Sequence, residues 1–393
     1  MSYVPEYFEF SCPVKILSGR KALANLPYEM DLLGARRAIV VTDKGVVGAG
    51  LVDKVLGAFV GSTAEVATVY DDVPPDSSVT IAADLARIYR EKACDSLIAV
   101  GGGSAIDTAK AANVVITEGT DDLTQFQGAE RIKSRLRPLI VIPTTAGTGS
   151  EVTAAAVIKD RERHVKIALT SYRLLPDVAL LDPEMTITMP AKVTAFTGMD
   201  ALTHAMEAWL CLQKNPVSDG YAWNAIRLVT QNLLRCVEKP KDTKARLNMM
   251  NAALLAGMAF SNSLVGMVHA LAHATGGVAG VPHGIANAIY LPLGLEYNLD
   301  VREEMIAELA WPMGVKKITG KPRKDADAVV KAVRELSAKL SKKTGMPSRL
   351  RDAGVSKTQL SEIAMGAIND GSLVMNPAEV TFDDALSLLQ RAW

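Results

Sequence analysis

Between Ala38 and Pro143 short apolar runs alternate with longer amphipathic stretches, and this alternation constrains the fold more than any other feature of the chain. The runs AIVVTD (38–43), EVATVYDD (65–72), SLIAVGGGS (96–104) and PLIVIPTT (138–145) are rich in β-branched residues and end in polar or turn residues. Between them, segments such as Val79 to Glu91 and Ala105 to Ile116 space their apolar residues near the helical repeat. Strands alternating with helices build a parallel sheet covered on both faces. The expected N-terminal domain, residues 1–190, is therefore α/β and Rossmann-like, with residues 152–182 as further extended chain turning near Arg161, Glu162 and Arg163. After Pro190 helical patterns take over, at 191–211, 218–236, 243–274, 324–343 and 382–392, so residues 191–393 are expected to form an all-α C-terminal domain.

Composition narrows the function. The 393 residues carry 43 Lys plus Arg against 43 Asp plus Glu, so no surplus of charge exists to hold nucleic acid or an anionic membrane. The 49% hydrophobic and 22% charged content is that of a soluble globular protein. Cys12, Cys94, Cys211 and Cys236 form no CxxC pair and read as reduced thiols, which favours a cytoplasmic location. The opening MSYVPEYFEFSCPVKI has no basic cluster ahead of an apolar run, so no signal peptide is expected. The longest stretch without Asp, Glu, Lys or Arg runs from Leu247 to Leu295, but Asn, Ser, His, Gly and Pro282 interrupt it. It reads as buried helix lining a site rather than a membrane span.

Two turns follow strands and bear on a nucleotide. In SLIAVGGGSAIDTAK (96–110), Gly101, Gly102 and Gly103 let backbone approach an anion at the start of a helix. In IPTTAGTGSEV (142–152), Thr144, Thr145 and Thr148 add hydroxyls. Asp43 ends the AIVVTD strand at the carboxyl edge, where open parallel sheets bind ligands. There it either accepts from a ribose hydroxyl and repels a 2′-phosphate, or caps the next turn.

Histidine supplies the strongest constellation. Of five in the chain, four fall in GMDALTHAMEAW (198–209) and GMVHALAHATGGVAGVPHG (266–284), and the fifth, His164, lies in the charged RERHVK segment and reads as solvated. Asp200 and His204 stand one helical turn apart on one face, His269 and His273 repeat that spacing, and a glycine-rich turn can return His283 toward them. A carboxylate with several imidazoles suits Fe(II), Zn(II) or a similar ion. Spacing alone leaves His273 and His283 equal candidates as ligands.

Over nearly its whole length the chain resembles the iron-containing, or group III, alcohol dehydrogenases, through GGGSAIDTAK, PTTAGTGSEVT, GMDALTHAMEAW, HALAHATGGVAGVPHG and LVMNPAEVT. The resemblance implies a dehydroquinate synthase-like architecture and hydride transfer between NAD(H) and a short-chain primary alcohol or diol. It implies Asp200, His204, His269 and His283 as ligands of Fe(II), or alternatively Zn(II), and His273 beside the nicotinamide and substrate as proton relay. By the same resemblance Gly102, Gly103, Ser104, Thr144, Thr145 and Thr148 hold the dinucleotide, Asp43 its adenosine ribose, Lys166 approaches it, and Phe260 lines the alcohol pocket. Relatives of this kind are often homo-oligomers, dimers or larger. One departure is VPPDSSV, with Pro75-Asp76 where many members carry Asn-Pro, so a side-chain contact from that Asn is lost. The alternatives within this architecture are a glycerol dehydrogenase-like zinc enzyme and a dehydroquinate synthase-like lyase. The lyase binds a phosphorylated, carboxylated substrate and would want Lys and Arg near the site, yet 247–295 contains none. A decayed, non-catalytic scaffold should have lost ligands, and none is missing.

Overall fold

Strands β1 (Lys15–Ser18), β2 (Arg37–Val41), β3 (Glu65–Tyr70), β4 (Ser96–Gly101), β6 (Leu139–Pro143) and β9 (Val178–Leu181) form one parallel sheet in the order β1-β9-β6-β4-β2-β3. The smaller strands β5 (Gly128–Ala129), β7 (Ala155–Asp160) and β8 (Val165–Thr170) form a second sheet in which β7 and β8 run antiparallel. These coordinates are a computed structural model and describe residues 5–75, 78–160 and 165–393, without the side chains of residues 160, 165 and 166. The expectations for Asp76, for the turn at Arg161–Arg163 and for His164 fall outside the described residues, as does the side chain of Lys166.

The pleat explains why the central strands are apolar at every position. Ile39, Val41, Leu97, Ala99 and Val141 enter one core with Leu85 and Ile106 of helices α4 (Val79–Glu91) and α5 (Gly103–Glu118). The alternate residues Ala38, Val40, Ile98, Val100 and Ile142 enter another with Leu26 and Val55 of α1 (Leu26–Leu32) and α3 (Leu51–Gly57). Successive side chains point to opposite faces, so a strand covered on both sides needs an unbroken hydrophobic run. The short helix α2 (Lys44–Gly48) follows β2 directly.

Contacts group residues 11–188 into this α/β unit, and Met189–Trp393 into a helical unit that also takes in the N-terminal segment through Phe10. The expected α/β half began at residue 1; Phe10 instead stacks on Tyr221, with ring centroids 5.5 Å apart. Both rings are only half-buried, and no sequence pattern announces their contact. The helical unit consists of α6 (Ala191–Leu210), α7 (Pro216–Glu238), α8 (Thr243–Ser263), α9 (Met267–Ala279), α10 (His283–Tyr297), α11 (Leu299–Glu308), α12 (Pro322–Thr344), α13 (Leu360–Ile368) and α14 (Phe382–Ala392).

The single helix expected over 243–274 is two helices, α8 and α9, bent by 102°. Leu264 ends α8 with φ 65°, a conformation unfavourable for a side chain of its kind, and its N–H still donates to the Phe260 carbonyl. No single described helix is long and apolar enough to cross a membrane, and α8 with α9 passes that test only as this bent pair.

One buried charge organises the α/β unit. Lys110 on α5 is fully buried, and its Nζ donates to the carbonyls of Ser150 (2.7 Å), Thr153 (2.7 Å) and Ala155 (3.0 Å). Asp107, one turn earlier, accepts from Ser150 Oγ (2.6 Å) and from the Val157 N–H (3.0 Å). Burial lowers the ammonium to about 8. Together the two side chains fasten the segment after β6 to α5. Lys110→Met should destabilise the protein by at least about 3 kcal/mol in urea unfolding, because each carbonyl left without a donor costs about 1–3 kcal/mol; a loss under about 1 kcal/mol would contradict this role.

Candidate active site

In the α/β unit the chain leaves β2 toward β3 on one side and leaves β4 toward β6 on the other. The carboxyl ends of β2 and β4 therefore flank the point where strand order reverses, the usual ligand crevice of such sheets. Asp43 lies there. Its Oδ1 accepts from the N–H groups of Gly45 (2.8 Å) and Val46 (3.0 Å), so it caps α2, while Oδ2 faces Gly101 of the adjoining strand. The cap uses Oδ1 alone and leaves Oδ2 on the side of Gly101.

Gly102 and Gly103 have no positive φ. What they supply is closeness: a Cβ on Gly102 would stand 3.2 Å from Thr145 Oγ1, and one on Gly103 would stand 3.0 Å from Thr148 Cγ2. The two turns read separately in the sequence thus pack on one another, and Thr144 N–H donates to the Gly101 carbonyl (3.0 Å). Ser104 stands in the first turn of α5. Lys166 is on β8, paired in register with Lys159.

In the helical unit, α6 carries Asp200 and His204, α9 carries His269, and the first residue of α10 is His283. Their donor atoms all lie within 4.8 Å of one another; the first three residues are buried and His283 is part-exposed, giving the cluster an open side. The rings are stacked into place. His204 lies between Phe260 (centroids 4.2 Å, 14°) and His269 (4.5 Å, 27°), so Phe260 braces a ligand candidate from behind. Asn287, one turn beyond His283, points its Nδ2 at Asp200 Oδ1 (2.7 Å), His283 Nε2 (3.1 Å) and His269 Nε2 (3.2 Å). Three acceptor atoms therefore converge on one point, while the buried Asn287 Oδ1 has no hydrogen-bond partner.

Electrostatics favour the deprotonated form of three of these groups. Burial, and then the neighbouring imidazoles, hold His269 and His283 well below the usual imidazole range. Burial acts to raise Asp200, but His204, His283 and His269 outweigh it and leave its carboxyl below the ordinary value. One carboxylate oxygen and three imidazole nitrogens are a donor set that fits a divalent first-row ion, whose ligands must be deprotonated.

His273 is not one of the four converging residues. Its ring stacks on His283 (5.2 Å, 14°), and its Nδ1 lies 2.9 Å from Asp370 Oδ2. Asp370 is held below the ordinary carboxyl value because its bond to His273 and that to Ser372 N–H outweigh the effect of burial. Sequence reasoning missed Asp370, Asn287 and Glu207. Asn287 and Glu207 could have been found by helical spacing from His283 and His204, whereas Asp370 is 97 residues from its partner.

Residues 13–183 match the iron-containing alcohol dehydrogenase family, and residues 194–393 match its C-terminal domain. The chain belongs to this family and is an oxidoreductase of alcohols and aldehydes. It is 40% identical to 1,3-propanediol dehydrogenase of Klebsiella pneumoniae over 100% of both chains. It is 33% identical to NAD-dependent methanol dehydrogenase of Bacillus methanolicus over 98% of this chain and 99% of the other. Its structure superimposes on that of a 1,3-propanediol oxidoreductase with a TM-score of 0.95 at 38% identity, covering 99% of this chain and 100% of that one.

After anaerobic purification, His204→Ala and His283→Ala should each lose bound metal almost completely, whereas His273→Ala should retain it. Elemental analysis of the three variants decides: full occupancy in the first two would remove them from the ligand set.

Proposed function

We infer that this chain is an NAD(H)-dependent alcohol dehydrogenase and aldehyde reductase for short-chain primary alcohols or diols, with Fe(II), or alternatively Zn(II), held by Asp200, His204, His269 and His283. The convergence of one carboxylate and three imidazoles at the open-sided cluster carries the reading. The relatives' names, 1,3-propanediol and methanol dehydrogenase, support a short primary alcohol or diol, and the NAD-dependence of the latter supports the cofactor. In this reading the α/β unit takes the dinucleotide. Gly102, Gly103, Ser104, Thr144, Thr145 and Thr148 meet the pyrophosphate through close backbone, hydroxyls and the N-terminus of α5, Asp43 meets the adenosine ribose, and Lys166 approaches the dinucleotide as well.

When bound, the ion supplies a Lewis acid for the alcohol oxygen and NAD+ supplies the hydride acceptor. The chain's own residues do the rest. Asp200 contributes the single negative charge among the ligands, and the apolar bracing of His204 by Phe260 keeps that ring fixed and helps to line the substrate pocket. His273 Nε2 takes the alcohol proton, and returns it in aldehyde reduction, while Asp370 Oδ2 accepts from Nδ1–H and orients the ring. The absence of Lys and Arg from 247–295 supports an uncharged substrate over the phosphorylated one of a dehydroquinate synthase-like lyase. The same ligands serve a glycerol dehydrogenase-like zinc enzyme, which metal analysis and glycerol turnover separate from this reading. A cytoplasmic homo-oligomer, working without nucleic acid or membrane, accords with the zero formal charge and the free thiols.

The test is a panel of short alcohols, diols and aldehydes followed by nicotinamide absorbance, with NADH and NADPH in parallel. NADH should be preferred, and Asp43→Gly should relax the preference by removing the carboxylate that repels a 2′-phosphate. Equal use of both cofactors by the wild type would refute the placement of Asp43. His273→Ala should lose about 10²–10⁴ in turnover, the usual worth of general acid–base help. Undiminished turnover would assign the proton to water.

A further inference from the structure

Helix α9 opens without a cap of its own. Gly266 precedes it and has no side chain to offer, so the first N–H groups need partners from elsewhere. Asn376 Oδ1 accepts from Met267 N–H (3.3 Å). Glu207, on α6, accepts from Val268 N–H through Oε1 (2.7 Å) and from His269 N–H through Oε2 (3.3 Å). The same Oε2 lies 2.5 Å from His269 Nδ1. A Cβ on Gly266 would stand 3.1 Å from Glu207 Oε1 and 2.9 Å from Asn376 Oδ1, so the missing side chain is what lets both reach the helix end.

We propose that Glu207 is the positioning residue of the metal centre, locking His269 with its proton on Nδ1 and its Nε2 lone pair turned to the ion. Two observations meet here. Both Glu207 oxygens accept backbone N–H groups at a helix N-terminus, which favours the carboxylate as acceptor and Nδ1 as donor, against burial that pushes the carboxyl up to about 7. On the other side of the ring, Nε2 faces Asn287 Nδ2 at 3.2 Å, a donor, which favours a lone pair there. Glu207 stands three residues after His204 and seven after Asp200 on a 20-residue helix, so one face of α6 carries two ligand candidates and the clamp for a third. The clamp thus sets the tautomer of His269 and the register of α9 against α6 at once.

The inference rests on the metal-centre reading, and the Glu207→Gln variant tests it. An amide has one acceptor face. Whichever way it turns, its NH2 confronts either Val268 N–H or His269 Nδ1, and in the second case the ring proton is driven to Nε2, toward the ion. Zn(II) affinity of EDTA-treated protein, measured by chelator competition, should fall about 10–100-fold, as for other carboxylates that orient ligating histidines. Asn376→Ser, which loosens the same helix end without touching a histidine, should lower thermal stability but leave Zn(II) affinity within about threefold of wild type. The wild type itself supplies a second reading: nitrogen-15 NMR of the EDTA-treated protein should show His269 protonated at Nδ1. Unchanged Zn(II) affinity in Glu207→Gln overturns the proposal, as does a wild-type His269 protonated at Nε2, and the NMR result decides if the variant does not fold. His204→Ala is measured alongside. If it too binds Zn(II) like wild type, the metal-centre reading fails; if it alone loses Zn(II), only the role of Glu207 fails.

Discussion

A carboxylate and several imidazoles buried together are costly unless their lone pairs and protons find partners, and the helical unit supplies most of them. Asp200 lies among three imidazoles, Asn287 Nδ2 lies 2.7–3.2 Å from three of the four groups, and Phe260 covers the ring of His204. These demands explain features that packing alone would not require. The chain breaks at Leu264 in an unfavourable conformation, which frees the N-terminus of α9 to meet Glu207. The C-terminal segment returns Asn376 to the same helix end and Asp370 to His273.

The α/β unit packs two turns closely against one another. Gly102 and Gly103 remove the side chains that would hold the threonine turn away, and Lys110 with Asp107 ties the segment after it to α5. A lysine so deeply buried, donating to three carbonyls, acts as a fixed fastener rather than as a solvent-facing charge. Asp43 divides its two oxygens between capping α2 and facing the neighbouring turn.

Much of this was legible in the sequence because it is local. The unbroken apolar runs of β2, β4 and β6 mark a doubly covered sheet, and α4 spans the segment that its apolar spacing predicts. The Asp200–His204 spacing marks a shared face on α6. What was not legible depends on distant chain. Serine, leucine and valine ahead of Gly266 carry no strong stop signal, so 243–274 reads as one helix; the bend is imposed by tertiary partners. Phe10 joins the helical unit through Tyr221, and Asp370 reaches His273 across the fold. Helical periodicity cannot encode either contact. Lys110 stood in view within GGGSAIDTAK, but nothing local distinguishes a buried lysine from a solvated one.

The central claim is that four side chains from α6, α9 and α10 hold one divalent ion while His273 stands outside them. Anomalous diffraction from crystals of anaerobically purified protein, recorded at the iron and zinc edges, tests it most directly. The account predicts a single peak at about 2.0–2.2 Å from Asp200, His204, His269 and His283, with His273 beyond bonding distance. A peak bonded to His273 in place of His283, or no peak among these residues in active protein, would contradict it.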